Sequence, residues 1–252
     1  MRRTLGEHQA SPDGRETRWS GRVGIRHHRG MISMRPVLEV HHPEGFSLWP
    51  TSHEPTGLLV LDGRLTPEQV GTAVHRLAEL NDVDPEPGEE RGPRPADPLG
   101  AFLHGLLTVD PYVTGGLYVT DSATGTVFEP GCCYGLEEWR EWHQVADGGG
   151  VVWFGHDPWT TGEAPRAARL GRLVRLTQAP DDPDSPVIEL PVDELRRLLA
   201  GAERDLCDFL GLVRPWAERQ LPGHAAAVTR AIARALELEP AADEPATEEP
   251  AP

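Results

Sequence analysis

The chain has 252 residues, with 24 basic against 40 acidic side chains, a formal charge of -16, and 27 glycines beside 25 prolines. That charge disfavours nucleic acid and anionic membrane as main partners, because both need a basic face, and no stretch approaches the ~20 apolar residues of a membrane span. Every basic residue is arginine, so a lysine Schiff base, the phosphate-binding lysine of a P-loop and the nucleotide-positioning lysine of a kinase are all excluded.

Residues 1–35 hold eight arginines against Glu7, Asp13 and Glu16. Residues 1–30 lack apolar periodicity, so 1–34 reads as a disordered basic arm. Met31 and Met34 stand where strand-like sequence begins, and a mis-assigned start codon is an equal alternative. Stretches 37–41 and 58–61 read as short strands. Thr66, Pro67 and Gln69 form a helix start, with Val70, Val74, Leu77 and Leu80 following at helical spacing. A proline- and glycine-rich surface loop with alternating charge occupies 81–96. Asp97 and Pro98 open a second helix.

Stretches 117–121 and 126–129 read as a hairpin. A helix is expected over 136–146, with Glu137 and Glu138 complementing its dipole and Gly148 to Gly150 ending it. Stretches 151–154, 170–177 and 187–190 are further strands. The strongest pattern spans 192–214, where Leu195, Leu198, Leu199, Ala202, Leu206, Phe209, Leu210 and Val213 recur at steps of three and four; Pro215 is expected to end or kink this helix. A last helix is expected over 224–238, and an acidic, proline-rich tail over 239–252. These elements indicate an α+β class, with a mixed or mainly antiparallel sheet, several packed helices and long C-terminal helices. Residues 35–238 form the single expected domain.

Chemistry concentrates at 128–160. A thiol at a helix start has its thiolate stabilised by the dipole, so Cys132 or Cys133, with His143 or His156 as base and Asp157 orienting it, are the candidate catalytic residues. The same groups carry zinc-ligand chemistry, although adjacent thiolates point apart. A buried structural cysteine and an Asp157-Pro158 turn are the alternatives, and no metal or cofactor is expected. Trp139 and Trp142 stand at helical spacing and suit either core packing or, with Arg140 and Trp159, an aromatic binding face. The cysteines Cys132, Cys133 and Cys207 form no secreted disulfide framework, and no apolar signal segment follows the N-terminus, which makes the cytoplasm the expected compartment.

The run from Pro130 through Gly131, Cys132, Cys133, Tyr134, Gly135, Leu136, Glu137, Glu138, Trp139, Arg140 and Glu141 to Trp142, with Gly155, His156, Asp157 and Pro158 downstream, resembles a group of uncharacterised proteins from GC-rich filamentous soil bacteria. No activity travels with that resemblance. In general shape the chain also resembles bacterial immunity proteins, which neutralise basic toxins by complementary charge. The expected function is therefore a soluble, non-enzymatic protein-binding module, immunity-protein-like or regulatory, with another, basic protein as partner. The alternative is a thiol- or metal-dependent enzyme centred on Cys132 or Cys133 with His143, His156 and Asp157.

Overall fold

The computed structural model describes residues 31–52, 57–85, 92–107, 111–131, 134–155 and 165–238. They form an α+β fold of two four-stranded antiparallel sheets and five α-helices. In the first sheet β1 (Ile32–Val40) is flanked by β2 (Gly57–Val60) and β3 (Gly115–Asp121), and β4 (Thr126–Phe128) pairs outside β3, giving the order β2-β1-β3-β4. The second sheet is a meander of β5 (Val151–Trp153), β6 (Arg166–Leu170), β7 (Leu173–Thr177) and β8 (Val187–Pro191).

The helices begin where their caps dictate. In α1 (Pro67–Glu79) the Gln69 amide donates to the Thr66 hydroxyl and the Thr66 amide donates to the Gln69 side chain, a complete capping box. In α2 (Pro98–Leu106) the Gly100 amide donates to the Asp97 carboxylate at 2.7 Å. The loop between these helices is pinned by a bidentate pair, Arg94 to Asp82 at 2.7 and 2.6 Å.

Four features differ from the sequence reading. β1 begins at Ile32, inside the stretch read as an arm, because Met34 joins Leu38 in the core face of the strand. Pro36 is tolerated there: its carbonyl accepts from the Leu61 amide, so its missing N–H would have pointed away from β3 and no bond of the β1–β3 ladder is lost. The stretch 170–177 is not one strand but the end of β6, a turn and β7; Gly171, at φ 64°, supplies the left-handed residue of a two-residue hairpin turn.

The expected 136–146 helix is a 3₁₀ segment (Leu136–Glu141) that passes into α3 (Trp142–Asp147). Finally, α4 (Val192–Gln220) does not end at Pro215 but continues past it. Proline costs a helix about 3 kcal/mol, but the turn beyond it buries Trp216, whose ring meets Trp49 edge-on at 5.0 Å. Burying a large aromatic offsets that cost.

The buried stripe of α4 packs on β1 of the first sheet and on β7 and β8 of the second, and α5 (Ala225–Ala235) lies against it. One continuous core results, from Met34 and Leu38 through Leu195, Leu206 and Phe209 to Val174 and Leu190. No helix among the described residues is long and apolar enough to cross a membrane.

Candidate functional site

The 3₁₀ segment carries the densest set of charged groups. It is anchored first by its indoles. Trp139 is 1% exposed, and its Nε1–H donates to the Leu236 carbonyl at 2.9 Å, just past α5. Trp142, 4% exposed, stacks at a tilt on Phe154, with centroids 5.5 Å apart. Of the two readings of these rings, the structure takes core packing, so neither Trp139 nor Trp142 offers its face to a partner. The reason is their step of three from Leu136, which lines all three on one ridge of a 3₁₀ helix.

Arg140 points the other way. Its guanidinium lies 4.6 Å from the Trp139 ring, donates to the Glu237 carbonyl at 2.6 Å and reaches Glu203 of α4 at 2.9 Å. Trp139 and Arg140 thus satisfy the orphan carbonyls at the end of α5.

Glu203 and Glu237 stand beside this guanidinium, and Glu138 and Glu141 lie within electrostatic reach of Glu237. Burial pushes the Glu138 carboxyl up, and the charges of Glu141 and Glu237 push it further. The Glu237 carboxyl is raised first by burial; Glu141 adds to this and Arg140 opposes it. Cys207, one turn along α4 from Glu203, has its thiol raised by burial and by the charges of Glu203 and Asp208.

Glu237 also has φ 50°, the one non-glycine residue at positive φ among those described. It ends α5 in a left-handed cap, with the Leu238 amide donating to Ala233 at 2.8 Å, a position that favours glycine. Glu237→Gly should therefore raise stability by about 1 kcal/mol, read as a higher Tm, and should weaken the acidic cluster at the same time.

Glu137 is turned inward. Its carboxylate accepts from the Val113 amide at 2.9 Å, while the Leu136 amide donates to the Val113 carbonyl at 2.8 Å, so the 3₁₀ segment is clipped to the start of β3. Burial lifts its carboxyl to about 7, against hydrogen bonds from its own amide and from Val113 that pull it down; Glu138 and Glu237 add to the rise. Gly135 lies directly against this carboxylate, and a Cβ there would collide with it.

His143 lies on α3 with its ring 5.8 Å from Trp139, and its buried Nε2 has no hydrogen-bond partner among the described residues. Cys132, Cys133, His156, Asp157 and Trp159 lie outside the described residues. The site therefore brings together Trp139, Arg140 and Trp142 from the sequence reading. It adds Glu203 and Glu237, which no local pattern marks because they come from α4 and from the end of α5. Beside it a narrow crevice is lined by Pro130, Tyr134, Glu138, Glu141 and Trp153. Among the described residues, no group of three or more histidine, cysteine, aspartate or glutamate side chains is placed to share a metal ion.

Comparisons with protein families, with curated proteins and with solved structures found no match. The α+β class is thus carried by the chain's own residues.

Proposed function

We propose that the protein is a non-enzymatic binding module that takes a basic protein partner through the acidic face around Arg140. The observation that carries this reading is the crowding of Glu138, Glu141 and Glu237 beside the Arg140–Glu203 pair, with Glu138 and Glu237 raised partly by their neighbours' charge. Carboxylates held this close repel one another. An arriving guanidinium or ammonium relieves that repulsion and is steered in by the field. The strained backbone at Glu237 points the same way, since such strain persists where a site has a use for it.

The test uses the full chain and a polyarginine peptide as probe, followed calorimetrically at low salt. The expected result is binding that weakens as salt rises, and a loss of about tenfold or more in Glu138→Arg/Glu141→Arg. Unchanged affinity in that variant overturns the reading. So does labelling of a second thiol much faster than Cys207 together with substrate turnover, which would establish the thiol enzyme instead.

A further inference from the structure

A cleft of about 250 Å³ opens among the turn at 44–46 that follows β1, the helix α1 and the start of α2. Its buried lining is apolar and consists of Phe102, Ala101 and Ala78. Phe46 forms one wall. Its ring meets His75 edge-on at 4.2 Å and Trp49 at 4.7 Å, and Trp49 in turn meets Phe102 at 4.8 Å. The Trp49 indole N–H donates to the Gly71 carbonyl at 2.9 Å, which fastens this aromatic belt to α1. The wall is thus built in advance, as in most small-ligand pockets.

The rim is acidic. Glu44, Glu79 and Asp82 line the cleft together with Arg94. Arg94 is spent on Asp82, at 2.7 and 2.6 Å. Glu79 is met by Arg76 at 3.2 Å and by His41 at 3.1 Å. Counting Arg76 with Arg94, three carboxylates still face two guanidiniums. Glu44 is the one left over, with no hydrogen-bond or ion-pair partner among the described residues. His75 is unspent as well. Neither ring nitrogen makes a hydrogen bond among the described residues, and the Glu79 carboxylate stands 3.9 Å from Nδ1. Burial pushes the His75 imidazole down against the pull of Glu79, and His41 and Arg76 push it further, so at neutral pH it is an uncharged acceptor.

We propose that this cleft binds a small organic ammonium with an aromatic body, its ring laid against Phe46 and Phe102 and its ammonium donating to Glu44 and His75. Aromatic walls attract such cations as well as their apolar part. The chemistry disfavours the other occupants. A metal ion needs several converging ligands, and no cluster of three or more such groups among the described residues supplies them. An anion meets the surplus carboxylate, and so does the acidic run 239–252. The basic run 1–30 joins the fold at Met31, and β1, nine residues long, sets that point about 30 Å from the cleft. Arg26 and Arg29 cannot span that distance at about 3.3 Å per residue. The volume, just under the roughly 300–1,000 Å³ usual for small-molecule pockets, also suits a compact ligand better than a peptide. The cleft shares no residue with the acidic face around Arg140, so the two readings stand apart.

The experiment titrates the full chain at neutral pH with phenethylamine, and with phenylpropionate as the anion of similar shape. Calorimetry reads the affinity and NMR of the aromatic rings reads the place. The expected result is saturable binding of the amine with shifts at the Phe46 and His75 rings, and binding of the anion weaker by about tenfold or more. Glu44 is exposed, so Glu44→Gln keeps the fold, and it should weaken the amine about tenfold. Replacing all seven arginines of residues 1–30 by glutamine should leave the affinity unchanged. No saturable binding, shifts confined to other rings, equal binding of the anion, or unchanged affinity in Glu44→Gln overturns the proposal. So does a gain of about tenfold when residues 1–30 lose their arginines, which would make that run the occupant.

Discussion

Trp139→Ala lowers the free energy of unfolding by about 4 kcal/mol, the cost of emptying a large buried aromatic site. This shows as a lower urea midpoint at unchanged slope. Trp139→Phe retains most of the ring volume and loses the indole N–H, leaving the Leu236 carbonyl without its donor; about 2 kcal/mol is expected. The two variants together separate packing from hydrogen bonding. Against a usual total of about 5–15 kcal/mol, the alanine variant gives up a large share of the stability of the fold. A ring serving only as a contact on a binding face would behave otherwise: its removal would abolish binding and leave the midpoint in place.

Glu137→Gln stabilises the protein at high pH and leaves it unchanged at low pH. The carboxyl rises from 4.5 to about 7 in the folded chain, so the folded state holds its proton more tightly than the unfolded state. Below 4.5 both states are protonated and acid and amide behave alike. Between 4.5 and about 7 the wild-type chain progressively loses stability as an increasingly charged group is kept half-buried. Above that range the difference is constant, and it amounts to about 1–2 kcal/mol once solvent screening is allowed for. The glutamine oxygen still accepts from the Val113 amide, so the clip to β3 survives. Unfolding curves at a series of pH values read the effect directly. A variant no more stable than wild type at pH well above 7 would show that Glu137 ionises without penalty.

Much of the architecture was legible because local chemistry decides it. Thr66-Pro67 and Asp97-Pro98 start helices wherever they are free to cap, and the stripe from Leu195 to Val213 needs a partner surface of its own length. Three features were not legible, each for a physical reason. Leu136, Trp139 and Trp142 repeat every three residues, a pattern that both a 3.6-residue and a three-residue turn accept, and Glu137's bond to Val113 belongs to the tighter turn. β6 contains only Ala167 as a fully buried apolar residue, too little for periodicity to announce. Pro215 reads as a stop because Trp49, the ring that Trp216 packs against, is 167 positions upstream of it in the chain.

The site divides along the same line. The acids of the 3₁₀ segment and Arg140 are visible in one short run, whereas Glu203 and Glu237 reach Arg140 only through the packing of α4 and α5.

The single rod α4 has a mechanical consequence. Its 29 residues extend about 43 Å, and the two sheets share no strand; they share this helix, together with the run of the 3₁₀ segment and α3, which also touches both. Neither sheet can detach without baring Leu195, Leu206 and Phe209 to water. The molecule should accordingly lose its structure in one cooperative step, with the backbone amides of central α4 exchanging only through complete unfolding. A helix that must stay intact for the whole to survive is also a spacer: it keeps the two sheets at a constant separation, so that whatever grips one meets the other at a preset angle.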